Sequence, residues 1–290
     1  MISPVQILHA HKLFPKKQFG QNFLKDPSTA QMIIQRSGLM PQDVVLEIGA
    51  GLGALTVPIA RSARKVYAVE KDGRLADVLA GILASHACSN VTLINKNILD
   101  VDIHQLARDE NSPLVVFGNL PYNISSQVLI QLIEARTAVR HCVLMFQKEL
   151  ARRIMSPPGT RDFGRLSVLL QYCAEIKCMA AVKAALFYPR PKVDSEVIGI
   201  HFKAAPAFAA DDEALFSRVV KAAFSKRRKT LKNALAGSEL ALTGETAEQI
   251  LKRAAIAPSR RAETLSVEEF VRLSNVLGAA SQQPGFVLRI

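Results

Sequence analysis

The sequence contains no apolar run of 18 residues, so no helix is expected to span a membrane. Its first residues, MISPVQILHAHKLFPKK, lack the apolar core of a secretory signal. Only four cysteines occur in 290 residues: Cys88, Cys142, Cys173 and Cys178, scattered among apolar neighbours with no CxxC. That excludes a disulfide framework and reads as small core residues of a reduced, cytoplasmic protein. The six histidines neither cluster nor pair with cysteines at ligand spacing, so zinc is excluded and no metal is expected. His9 and His11, the one close pair, fall in a segment, residues 1–15, expected to be flexible. Internal repeats and low-complexity tracts are also missing, which excludes a solenoid. Acidic residues are in deficit, 25 against 37 lysines and arginines, for a net charge of +12. Such a balance favours a polyanionic partner, nucleic acid or an anionic membrane face. What is present, 49% apolar and 21% charged residues, is the composition of a folded protein.

From about Asp43 to Phe202, short β-branched runs alternate with longer amphipathic stretches. Strands are expected at Val44–Ile48, Val66–Glu70, Val91–Asn95, Leu114–Phe117 and Cys142–Phe146. Helices are expected between them at Leu55–Arg61, Arg74–Ala84 and Ser126–Ala135. Strands separated by helices imply a parallel, doubly wound α/β sheet, because each parallel crossover needs a helix to return the chain. Leu166–Ala174 and Val193–Phe202 are expected as an antiparallel pair at its edge. After Lys203 the pattern turns helical: about Asp212–Phe224, Arg227–Leu235, Ala247–Ala254 and Val267–Leu277, the last with a capping box from Ser266 and Glu269. The division expected is a catalytic domain over residues 1–205 and a small all-helical domain over 206–290, with the last ten residues a tail.

The first strand runs into Glu47-Ile48-Gly49-Ala50-Gly51-Leu52-Gly53. Glycines at a strand-to-helix turn let the backbone pass close to a ligand without a Cβ clash. Glu70 follows Gly49 by 21 positions, a spacing that suits a carboxylate accepting hydrogen bonds from a ribose diol. The third glycine of the dinucleotide pattern would fall on Ala54, an allowed substitute, so the loop alone leaves NAD open. Acidic Glu47 favours S-adenosylmethionine, whose sulfonium and ammonium are cationic where NAD carries a pyrophosphate.

The fourth strand ends in Gly118-Asn119-Leu120-Pro121-Tyr122, a turn expected to face the same crevice, beyond the carboxyl ends of the strands. Adenine N6 is a poor nucleophile because its lone pair is delocalised into the ring. The Asn119 side-chain oxygen and the Leu120 carbonyl can accept both N6 hydrogens and favour a pyramidal nitrogen. Pro121 stiffens the turn, and Tyr122 can stack on a base taken out of its helix or loop.

At this point the sequence resembles the KsgA-type rRNA adenine dimethyltransferases. The resemblance covers about residues 12–278 and rests on several strings. The first are the basic KKQFGQNFL of 16–24, EIGAGLGALT, NLPYNISS and Phe146-Gln147-Lys148-Glu149. The others are Phe163-Gly164-Arg165-Leu166-Ser167, FYPRPKVDS of 187–195 and FSKRRKT of 224–230. It implies a Rossmann-like S-adenosylmethionine-dependent enzyme that dimethylates N6 of two adjacent adenosines in the 3′-terminal hairpin loop of 16S rRNA. Assembling 30S subunits would be its partner, no membrane its partner, and a monomer its state. Carried over, Asn22 and Leu24 close over the donor, Gly49 and Gly51 face its amino-acid part, and Glu70 its ribose. Asn119 touches donor and target amine, and Phe187 stacks with Tyr122 around the target base. Where the family usually has Gly-Asp-Ala after the third strand, this chain has Lys96-Asn97-Ile98. The Asn97 carbonyl can accept the donor's adenine amine without charge, and Asp100 is the other candidate.

Lys226-Arg227-Arg228-Lys229 with Lys232 places five positive charges in seven residues, with no acidic partner at i±4, and is expected to bind RNA phosphates. Arg152, Arg153, Arg161 and Arg165 form a looser second patch, divided between phosphate contact and structural pairing. Two rivals remain: an Erm-type large-subunit rRNA adenine methyltransferase, and a non-catalytic RNA-binding assembly factor on the same scaffold.

Overall fold

A computed structural model describes residues 3–121, 123–226 and 228–281. The chain divides into two compact units, Met1–Ala151 with Ile176–Phe202, and Arg152–Glu175 with Lys203–Ile290. Residues 152–175, which the sequence division assigns to the first domain, thus group with the helical unit.

The first unit carries strands β1 (Phe23–Leu24), β2 (Val44–Ile48), β3 (Lys65–Val69), β4 (Val91–Ile94), β5 (Leu114–Asn119), β6 (Val139–Gln147), β7 (Ala174–Val182, its first two residues in the other unit), β8 (Phe187–Tyr188) and β9 (Ser195–Phe202). Seven form one sheet in the order β4-β3-β2-β5-β6-β9-β7, and β1 pairs antiparallel with β8. The five strands from β4 to β6 are parallel neighbours, whereas β6 and β9 are antiparallel. All five residues of β2 are buried, as a central parallel strand covered on both faces requires. The chain leaves β2 toward β3 and β4 and returns to β5 on its other side. The crevice between β2 and β5 is therefore the switch point where such sheets bind ligands.

The connecting helices are α1 (Pro4–Ala10), α2 (Pro27–Arg36), α3 (Thr56–Ala60), α4 (Gly73–Ser85), α5 (Ile103–Asp109) and α6 (Ser125–Glu134). Their starts are written locally: Asp26, Asp72 and Asp102 each accept backbone N–H groups of the first turn of α2, α4 and α5. The segment read as a flexible lead contains α1, whose Leu8 is 3% exposed.

The next helices are α7 (Lys148–Met155), which crosses from the first unit into the second, and α8 (Arg165–Cys173). The expected strand at Leu166–Ala174 is in fact α8, and the strand beside β9 is β7, one segment later. A nine-residue apolar run satisfies either period, and Leu166, Leu169, Leu170 and Cys173 also fit the spacing of one helix face. β7 is missed because it lies at the sheet edge and is mostly unburied, so it shows no apolar alternation. The rest of the second unit is α9 (Glu213–Ala223), α10 (Leu231–Ala236), α11 (Gly244–Arg253) and α12 (Val267–Ser281). The Ser266–Glu269 box at α12 has both reciprocal bonds, at 3.1 and 2.8 Å. The helix expected from Arg227 begins only at Leu231. Lys226, Arg228 and Lys229 lie in the turn before it, where adjacent like charges are easier to hold than in a helical turn. Of the cysteines, Cys142 and Cys173 are buried, Cys88 is half-buried and Cys178 is exposed. Arg227 and the tail after Ser281 lie outside the described residues.

Candidate active site

The carboxyl ends of β2, β3 and β5 open into a cavity of about 620 Å³. Gly49 N and Ala50 N donate to the Val69 carbonyl at 2.9 and 3.1 Å, pinning the glycine loop to the end of β3. Gly49 adopts φ 76° and Gly53 φ 80°, the left-handed region that disfavours a side chain. A Cβ on Gly49 would lie 3.5 Å from the Asn119 carbonyl, filling the gap between loop and β5. One on Gly53 would sit 2.8 Å from Leu79 Cδ1. The loop is a cradle that a side chain would occupy.

Two carboxylates stand beside it. Glu70 is 8% exposed; its Oε2 accepts from Gly51 N and its Oε1 from Asp72 N, both at 2.9 Å. Burial pushes its carboxyl upward, against those N–H donors. Glu47 is 2% exposed and its Oε2 has no hydrogen-bond partner among the described residues. Burial pushes it up to about 8; the Thr56 hydroxyl works against the rise and the charge of Glu70 adds to it. A buried carboxyl with an orphaned oxygen beside a second one can ionise against a cationic ligand and offers a pyrophosphate no positive charge, which favours a methyl donor over a dinucleotide.

The N-terminal string and the turn after β5 are held together. Asn119 Nδ2 donates to the Asn22 carbonyl at 2.9 Å, and Asn123 Nδ2 to the Gln18 carbonyl at 3.2 Å. With its amide nitrogen committed, Asn119 keeps Oδ1 as its acceptor at the cavity it lines. Pro121 closes the turn by accepting from Ile124 N and the Ser125 hydroxyl at 3.2 and 2.9 Å. Leu120 is 1% exposed and its N–H donates to the Met145 carbonyl. Leu24 pairs with Phe187 across β1 and β8, and both belong to one apolar cluster. The side chains of Phe187 and Leu120 therefore stand behind the cavity wall rather than on it, whereas Asn22, Leu24, Gly49, Gly51, Glu70 and Asn97 line it. Tyr122 lies outside the described residues. Asn97 also caps a short turn, its Oδ1 accepting from Leu99 N at 3.4 Å, and Asp100 is exposed and off the wall.

Sequence reasoning missed Asp72. Its carboxylate accepts from Lys16 Nζ at 3.0 Å and Gln21 Nε2 at 3.3 Å, tying the N-terminal string to the end of β3. The partners are 51 and 56 positions away, and no local spacing signals them.

In the second unit, Lys226, Arg228 and Lys229 are exposed and have no ion-pair partner among the described residues. Lys232 departs from the expectation of unpaired charge. It bonds Glu248 at 2.5 Å across α10 and α11, and Glu248 also holds Lys252. Those bonds hold the Glu248 carboxyl down to about 2. An i±4 search cannot see a partner 16 positions on. Arg153, Arg161 and Arg165 line a smaller hollow of about 210 Å³ with Phe163 and Phe224. Among the described residues, no group of His, Cys, Asp and Glu is arranged to hold a metal ion.

The family described as ribosomal RNA adenine dimethylase matches residues 13–278. A protein of Desulforapulum autotrophicum named ribosomal RNA small subunit methyltransferase A is 51% identical over 277 residues, 96% of this chain and 97% of that one. One of the same name from Desulfotalea psychrophila is 40% identical, covering 93% of each. Among solved structures, a dimethyladenosine transferase from Plasmodium falciparum superposes with TM-score 0.71 at 25% identity, over 87% of this chain and 95% of that one. The 23S rRNA methyltransferase ErmE gives 0.63 at 27%, over 88% and 99%.

Proposed function

We infer the function from one premise: the chain belongs to the ribosomal RNA adenine dimethylase family. It is an S-adenosylmethionine-dependent enzyme that dimethylates adenine N6 in small-subunit rRNA. Beyond that, we propose that its targets are two adjacent adenosines of the 3′-terminal hairpin loop, met in assembling small subunits by a cytoplasmic monomer. No helix among the described residues is long and apolar enough to cross a membrane.

The observation that carries the site assignment is the Asn119–Asn22 hydrogen bond at the rim of the glycine cradle. When bound, S-adenosylmethionine supplies an electrophilic methyl group, and the attacking adenine nitrogen sheds its proton once alkylated. The chain's own part is positioning and electrostatics. Glu47 and Glu70 supply negative charge around the cradle, Glu70 facing the ribose and Asn97 the adenine amine of the donor. Asn119 Oδ1 and the Leu120 carbonyl accept the two hydrogens of the target N6, directing its lone pair. Asn22 holds Asn119 in that orientation, and the Leu24–Phe187 pairing braces Asn22 from behind. Tyr122, by the resemblance of the NLPY string, stacks on the flipped base. Lys226, Arg227, Arg228 and Lys229 take RNA phosphates, with Lys232 a weaker contributor because it is already paired.

Transfer of labelled methyl to undermethylated small subunits tests this. The wild type is expected to yield N6-dimethyladenosine, and Asn119→Ala to lower the rate by about 10²–10³, the cost of losing one placed acceptor. Label on large-subunit RNA alone would move the reading to the Erm type. Tight subunit binding with no transfer to either RNA would leave an assembly factor.

A further inference from the structure

Helix α1 precedes the part of the chain that matches the family, residues 13–278, yet it lines the same cavity as the glycine loop and Glu70. Its start is set locally. Ser3 Oγ accepts from Gln6 N at 3.3 Å, Ser3 N donates to Gln6 Oε1 at 3.1 Å, and Pro4 occupies the first turn. Its end is set by Lys12 at φ 53° and by Leu13 N donating to the Leu8 carbonyl at 2.8 Å, which turns the chain back. Seven residues are too few for a helix to persist by itself in water, so packing holds it.

The packing is specific to the donor site. Leu8 shares an apolar cluster with Phe23, Leu52, Leu75 and Val78. These come from the N-terminal string, the glycine loop and α4, three elements that wall the cavity. Phe23 is close enough to the loop that a Cβ on Gly51 would meet its ring at 3.4 Å. From the same helix Ile7 and Ala10 line the cavity, together with Ile82 of α4. The wall that α1 adds is mainly apolar and carries no charge, Gln6 being its one polar lining residue, so charge recognition is left to Glu47 and Glu70, and α1 excludes water and supplies dispersion contact.

We propose that α1 is a donor-binding element of this enzyme: it closes S-adenosylmethionine and its product S-adenosylhomocysteine into the cavity, with Leu8 as the anchor. The proposal rests on the methyl-donor reading above. α1 is a positioning element in the unit that holds the donor cavity, whereas the basic turn assigned to RNA belongs to the other unit, so it should act on the donor and spare the RNA.

The test compares the full chain with a form lacking residues 1–11, with Leu8→Ala and with Leu8→Met. Calorimetry gives the Kd of S-adenosylmethionine, and a rapid-mixing chase the dissociation rate of S-adenosylhomocysteine. Methyl transfer gives the KM for small subunits. The deletion and Leu8→Ala are expected to weaken donor affinity about tenfold, through faster dissociation. The KM for subunits is expected to stay within about twofold, and Leu8→Met to restore most of the affinity, as a volume-conserving swap should. Wild-type donor affinity and dissociation in both disrupted forms would overturn the proposal. So would an equal loss in donor and subunit binding, the mark of a merely structural helix. A full chain that fails to bind S-adenosylmethionine at all would overturn the underlying reading as well.

Discussion

Glu47 occupies a position where a charge is costly, 2% exposed, with one oxygen unpartnered and Glu70 nearby. Burial raises its carboxyl from the ordinary 4.5 to about 8, so it is protonated in the folded, ligand-free chain at neutral pH and ionised in the unfolded one. The folded state then binds more protons, and stability falls as pH rises from about 4.5 to about 8. Glu47→Gln, which mimics the protonated form, is expected to flatten that slope in melts across this range. Parallel curves for the two proteins would mean that the buried carboxyl is ionised after all. A cationic donor favours the ionised form, so its binding at neutral pH is expected to release a proton. Calorimetry in two buffers of different ionisation heat reads that release directly.

At the scale of elements, the N-terminal string is fastened to the turn after β5 by Asn119 and Asn123, and to the end of β3 by one carboxylate, Asp72. Asp72 caps α4 through Arg74 N, accepts from Lys16 and Gln21, and donates its own N–H to Glu70. Burial works against its ionisation, yet the bonds from Lys16, Gln21 and Arg74 keep its carboxyl below the usual 3.8. Its contribution is therefore present above that value and fades as pH drops below it. Asp72→Asn keeps a cap but removes the ion pair with Lys16. The expected result is a donor Kd raised about tenfold, the worth of one charge-assisted bond, with helix content unchanged by circular dichroism. An unchanged Kd would separate the string from donor binding. This fastening also marks how far the sequence could be read. β2, the glycine turn and Glu70 were legible because each is a local pattern: a buried β-branched run, glycines where φ is positive, a carboxylate at fixed spacing. The capping box at Ser266 was legible for the same reason. α8 was not, because a short apolar run does not choose between the two periods. The Asp72 clasp, the burial of Phe187 behind β1 and the Lys232–Glu248 pair were not, because their partners meet only after the chain has folded.

For the whole molecule, the charge excess is unevenly placed. The second unit holds 18 of the lysines and arginines against 11 acidic residues, seven of the twelve net charges in well under half the chain. Lys226, Arg228 and Lys229, exposed on the turn between α9 and α10, are a dense cluster within that excess, with no ion-pair partner among the described residues. Lys232 is neutralised already by Glu248, so any phosphate it meets must compete with that pair. Counterion release gives each effect a distinct signature. Replacing Lys226, Arg228 and Lys229 together by Ala is expected to lower the slope of log affinity for small subunits against log salt by about 2–3. Lys232→Ala should change it by less than about one, and neither should alter the Kd of S-adenosylmethionine. If the triple variant keeps the wild-type slope, the phosphates are held elsewhere, and the hollow lined by Arg153, Arg161 and Arg165 becomes the place to substitute next. If donor affinity falls with the triple variant, the two units do not divide the work as their charges imply. A lowered slope with intact donor binding would assign the turn to RNA and leave methyl transfer to the cradle at β2 and β5.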